Sequence, residues 1–102
     1  MIETSNDVAS LDLKYDWYQN VNHIFVSYKI KKGGEALKAG GLKVNFTASS
    51  VSLENVAIGE ILVHLDLANA IVAEESTFVC SFKKIELKMK KAMDNINWIG
   101  LE

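Results

Sequence analysis

The chain has 102 residues, 49% apolar and 24% charged, which suits one globular domain with one modest core rather than a disordered tail. Its net charge of −2 removes the electrostatic basis for nucleic-acid binding, and because all eleven cations are Lys there is no planar guanidinium fork to clamp phosphate. A single Cys excludes an internal disulfide and a Cys-rich zinc site, and no apolar run reaches the roughly 18 residues of a membrane span.

Residues 1–12 are polar and aperiodic and read as a loose leader, with the domain proper over 13–102. Met1 to Ser10 lacks the basic and apolar regions of a secretory signal, so a reducing compartment is expected. Lys14 to Asn20 then places three aromatics in four positions (Tyr15, Trp17, Tyr18). Trp17 and Tyr18 have opposite parity, and Trp17 is assigned to the core. From His23 to Lys31 the chain alternates: Ile24, Val26, Tyr28 and Ile30 on one side, Phe25, Ser27, Lys29 and Lys31 on the other. That is a half-buried strand. Lys32 to Gly41 carries a glycine pair near each end and reads as a loop.

Leu42 to Thr47 is the next strand, with Leu42, Val44 and Phe46 inward. Val51 to Val56 follows, with Val51 and Leu53 inward. Glu60 to Ala68 is read as a strand whose inward face is Ile61, Val63, Leu65 and Leu67, although Ala and Leu keep a helix over Gly59 to Ala73 as the alternative. Phe78 to Ser81 is short. Lys84 to Lys90 alternates most cleanly, with Ile85, Leu87 and Met89 against Lys84, Glu86, Lys88 and Lys90. Six or seven short strands at about ten-residue spacing predict an all-β antiparallel sandwich.

The catalytic inventory is thin. His23 and His64 fall on outward positions with no third ligand nearby, so no metal site is expected. Cys80 shares parity with Phe78 and reads as a buried structural thiol. Ser49, Ser50 and Ser52 lack a nucleophile elbow, and Glu74-Glu75 reads as a solvated loop pair. No glycine-rich phosphate loop is present. The chain is expected to be non-enzymatic and to need no cofactor. A polar pocket around His64 would be the feature that reopened catalysis.

Four blocks carry a family resemblance: Tyr15-Asp16-Trp17-Tyr18-Gln19, Glu75-Ser76-Thr77-Phe78, Lys84 to Lys91, and Trp98 followed by Leu101-Glu102. In that order and spacing they resemble the CS domain, shared by the CHORD-containing and SGT-type proteins and related to the p-twenty-three co-chaperones, and they look most like the SGT-type branch. The resemblance implies a seven-stranded antiparallel sandwich of the heat-shock protein 20 type. It also implies docking on the N-terminal ATPase domain of heat-shock protein 90 through the outer face of one sheet.

The family's contact positions match Tyr18, Lys84 and Glu86 here. A fourth, often apolar or aromatic, aligns with Lys29, which removes an apolar anchor and adds a charge. Compared with close relatives, the Lys32 to Gly41 loop looks about four residues longer, and Ala70 and Ala73 stand where Pro is common. The resemblance further implies a cytoplasmic or nuclear protein that meets client receptors or ubiquitin-ligase components through regions outside this chain, with neither nucleic acid nor membrane as partner. The competing expectation is a chaperone-independent CS interaction module or holdase, as in nuclear-distribution relatives.

Overall fold

A computed structural model describes residues 9–102. Eight strands form two antiparallel sheets: β1 (Ser10–Leu11), β2 (Asp16–Gln19), β3 (His23–Lys32), β4 (Leu42–Phe46), β5 (Ser50–Asn55), β6 (Glu60–Asp66), β7 (Ile71–Cys80) and β8 (Lys84–Lys91). The larger sheet has β3 and β8 at its centre and β7 at one edge. Both β1 and β2 pair with β3, β2 against its first half and β1 against its second. The smaller sheet runs β4-β5-β6. The all-β sandwich expected from the alternation is the fold observed, with the two-residue β1 added to the seven strands.

Period-two patterning puts one face of each strand into the space between the sheets. Ile24, Val26 and Tyr28 of β3 and Ile85, Leu87 and Met89 of β8 are at most 2% exposed. They face Val51, Leu53, Val63 and Leu65 from the smaller sheet, all in the same buried cluster. Tyr15 meets Tyr28 edge-on, with centroids 5.6 Å apart. Full burial of such side chains contributes about 1.5–3 kcal/mol each. Trp17 is half-buried and packs against this core, as its parity requires.

Several local expectations need correction. Residues 1–8 of the expected leader lie outside the described residues, but Ala9 and Leu11 are buried and β1 pairs with β3. The sandwich therefore starts before residue 13. Gly33 shows why Ala9 is held: it adopts φ 76°, and a Cβ there would stand 2.7 Å from Ala9 Cα, so only glycine fits. The expected loop after β3 contains a helical turn at Gly34–Ala36 that continues into a wider turn through Gly41, and Leu37 from it enters the core.

The helical alternative for 59–73 is excluded, because Glu60–Asp66 pairs along β5. That ladder contains a bulge: Leu53 pairs with Val63, but Glu54 pairs with Ile61. The extra residue, Leu62, reverses the parity beyond it, so Ile61 is 54% exposed rather than inward. A second irregularity lies between Val72 and Thr77 in β7. It takes Glu74 and Glu75 into an extended strand instead of a loop. Phe78, opposite Leu87, is 39% exposed because β7 is the sheet edge. Cys80 is only partly buried, and that burial raises its thiol pKa, with Lys38 opposing.

Candidate docking face

The outer side of the larger sheet is built from the residues that alternate away from the core. The register sets them in rows across four strands. Tyr18, Phe25, Lys88 and Thr77 make one row, and Asp16, Ser27, Glu86 and Val79 the next. Beyond these, Lys29 pairs with Lys84, while His23 pairs with Lys90 at the opposite end.

All four residues expected at the site, Tyr18, Lys29, Lys84 and Glu86, are therefore on one face. Tyr18 is 66% exposed. Its ring stacks on Phe25 with centroids 4.6 Å apart and planes 14° apart. Lys84 Nζ lies 3.5 Å from Glu86 Oε2, as two residues apart on one strand allow, with both side chains about half exposed. Such a pair contributes little to stability on its own.

Across β2, β3, β8 and β7 the face holds a groove of about 310 Å³, whose lining includes Asp16, Tyr18, Phe25, Val79, Glu86 and Lys88. It is an apolar floor with charged walls, which is how a protein-docking surface is composed. Phe25 and Val79 are the contributors that sequence reasoning missed. The alternation had already turned Phe25 outward beside Ser27, but only the cross-strand register shows that it lies under Tyr18.

At the hairpin end, Asn20 Oδ1 accepts hydrogen bonds from the backbone N–H groups of Asn22 and His23, at 2.9 and 2.8 Å. This turn brings β2 back beside β3 and so places Tyr18 over Phe25. Burial lowers the His23 pKa, Lys88 and Lys90 lower it further, and Asp94 and Glu75 oppose. We expect an NMR titration midpoint for His23 below the ordinary value of about 6.5, rising in Lys88→Gln. An unshifted His23, or one indifferent to that substitution, would count against this charge environment. Because the unfolded chain holds this proton more tightly, His23 contributes stability above the ordinary imidazole range. That contribution is lost as pH falls through the range toward the folded midpoint.

The remaining candidates are dispersed. His64 Nε2 is 3.1 Å from Asp66 Oδ1 on the outside of the smaller sheet, at 53% and 88% side-chain exposure, where water competes with the contact. Ser52 is its cross-strand neighbour. His64 also borders a shallow groove of about 290 Å³ with Tyr15 and Glu102. The Tyr15 hydroxyl donates to Glu102 at 2.8 Å; burial first, and Glu102 second, raise its pKa. Among the described residues, no three His, Cys, Asp or Glu side chains converge as a metal site, and no helix is long and apolar enough to cross a membrane.

Comparison with known proteins agrees with this architecture. The CS domain model matches residues 13–91. A protein SGT1 homolog from Homo sapiens is 33% identical over 92 residues, covering 88% of this chain and 24% of the relative. One from Bos taurus is 33% identical over 103 residues, covering 99% and 29%, and one from Dictyostelium discoideum is 34% identical over 92 residues, covering 88% and 22%. The chain thus spans about a quarter of the length of these relatives.

Two solved structures share the fold. A nuclear movement protein from E. cuniculi GB-M1 superposes with a TM-score of 0.64 at 19% identity, covering 86% of this chain and 96% of that one. The CS-b5R domains of human Ncb5or in the NAD+ form give 0.65 at 24%, covering 86% and 24%.

Proposed function

The chain belongs to the CS-domain family, and on that premise we propose that it is a non-enzymatic co-chaperone module that docks on the N-terminal ATPase domain of heat-shock protein 90. The docking surface is the outer face of the larger sheet, and the module scaffolds client complexes there. The observation that carries this reading is that Tyr18 and Glu86 line one apolar groove, with Lys84 paired to Glu86 beside it, in a chain about one-third identical to SGT1 homologs. Each group has a separable task. The Tyr18–Phe25 stack supplies rigid apolar area, and the flanking Lys84 and Glu86 set encounter rate and register. The place of action is the cytoplasm, extending to the nucleus, and contacts with client receptors or ubiquitin-ligase components belong to regions outside this chain.

A two-dimensional NMR titration of the labelled domain with the isolated chaperone N-terminal domain, with and without nucleotide, tests this. Shifts should concentrate on Tyr18, Phe25, Lys84 and Glu86. Lys84→Glu and Glu86→Lys should each weaken binding about tenfold while leaving the amide spectrum folded. Unchanged affinity in both variants would remove the face from the reading.

A second reading is favoured by Lys29, which faces Lys84 where the family resemblance leads one to expect an apolar contact. In it the domain is a chaperone-independent interaction module or holdase. Suppressed aggregation of a model client, together with no shifts from the chaperone domain, would select it.

A further inference from the structure

One end of the docking face carries a charge arrangement that the sandwich does not resolve by itself. Lys29 and Lys84 stand directly opposite each other in the β3–β8 register, and like charges so placed repel. Lys31, two residues further along β3, projects from the same side and is also exposed. Glu86 is 3.5 Å from Lys84, but neither Lys29 nor Lys31 has a carboxylate within ion-pair distance among the described residues. Lys29, Lys31 and Lys84 therefore share a corner with Glu86 and with Asp12, next to a groove floored by Phe25 and Val79. The Asp12 backbone N–H donates to the Lys29 carbonyl at 2.8 Å, but its carboxylate accepts from the Lys14 N–H and forms no ion pair with these lysines.

We propose that this corner receives an aspartate or glutamate of a protein partner, while an apolar side chain of the same segment sits in the groove against Phe25 and Val79. The inference rests on the docking reading above and adds the chemistry of the partner. Charge complementarity carries it: a partner carboxylate between Lys29 and Lys84 turns a repulsive cross-strand pair into two attractive contacts. The register also sets the spacing. Along β3, Phe25 is four residues from Lys29, and along β8, the Glu86–Val79 row is two residues from Lys84. At about 3.3 Å per residue these separations are roughly 13 and 7 Å respectively. An extended partner segment thus places its acid two to four residues from its apolar anchor.

The test titrates the labelled domain, at about 20 mM salt where screening is weak, with acetyl-Phe-Ser-Ser-Glu-amide. The comparison ligands are the same peptide with Lys for Glu, the same peptide with Ser for Phe, and inorganic phosphate. The Glu peptide should bind about fivefold more tightly than the Lys peptide and shift Phe25, Val79, Lys29 and Lys84 together. Serine for phenylalanine should weaken binding. Lys29→Glu, at an exposed position, should reverse the order of the two charged peptides, and Lys84→Ala should diminish the preference.

Equal binding of the acidic and basic peptides, or no shifts from either up to about 10 mM, overturns the proposal. So does phosphate binding as tightly as the Glu peptide, because the corner would then be an anion site with no use for the groove. The two readings fail separately. Acid preference without chaperone binding keeps this inference and removes the chaperone. Chaperone binding without acid preference does the reverse.

Discussion

Replacing Lys91 with methionine is expected to destabilise the domain by about 2–3 kcal/mol, enough to lower its melting midpoint by roughly 10 °C or more. Lys91 is 2% exposed and continues the inward parity of β8 two residues past Met89. Its Nζ donates to Gln19 Oε1 at 2.9 Å and to the Ile96 carbonyl at 2.7 Å. The same Gln19 oxygen accepts the Trp98 N–H at 2.9 Å, and Gln19 Nε2 donates to the Trp98 carbonyl at 2.8 Å. The ammonium and one amide thus fasten the segment after β8, and with it Trp98 and Leu101, each 2% exposed. Methionine keeps most of the stem volume, so the substitution isolates the polar loss: the Ile96 carbonyl and Gln19 Oε1 lose a charged donor in a part-buried setting. Urea denaturation followed by tryptophan fluorescence measures it. An unchanged midpoint would show that water replaces the ammonium without cost.

Tyr18→Ala should weaken docking on the chaperone domain by about 2 kcal/mol, or roughly thirtyfold. An aromatic centred on an interface, stacked on a second ring and flanked by charges, is where such surfaces concentrate binding energy. The same substitution should cost the fold only about 1 kcal/mol, the worth of the stack on Phe25, since 66% of Tyr18 faces solvent. Tyr18→Phe keeps the stack and reports on the hydroxyl alone. A dissociation constant for Tyr18→Ala within about twofold of the parent would place the anchor elsewhere on the face.

The legible part of this molecule is the part that obeys strict alternation. In β3 and β8 every second residue meets the core and the others meet water, so Ile24, Val26, Leu87 and Met89 could be placed inward from sequence. Tyr18, Lys84 and Glu86 could be placed outward by the same rule, aided by the family resemblance. What stayed hidden has specific causes. Leu62 inserts into the β5–β6 ladder and turns Ile61 outward, and the irregularity between Val72 and Thr77 conceals the first half of β7. Strand β1 is two residues long and pairs only because β3 outlasts β2. Lys91 defeats pattern reading because a buried cation looks like a surface one until its acceptors are known. The link between Phe25 and Tyr18 is a matter of register between strands, which no single strand's pattern contains.

The fastening of Trp98 to Gln19 has a mechanical consequence. Gln19 is the immediate neighbour of Tyr18 on a strand held to β3 by only four paired residues, whereas Phe25 is on a strand paired along both edges. Tension applied at residue 102 would first load the Tyr15–Glu102 and Ala68–Leu101 hydrogen bonds and then, through Trp98, load β2 before it loads β3. As β2 yields, the two stacked rings separate, with Phe25 left in place and Tyr18 carried away. Grip on a partner would fall before the sandwich unravels, so the domain would behave as a clutch that slips under load. Optical-tweezer pulling from the C-terminal end, with a docked partner as reporter, would show release at a lower force than unfolding.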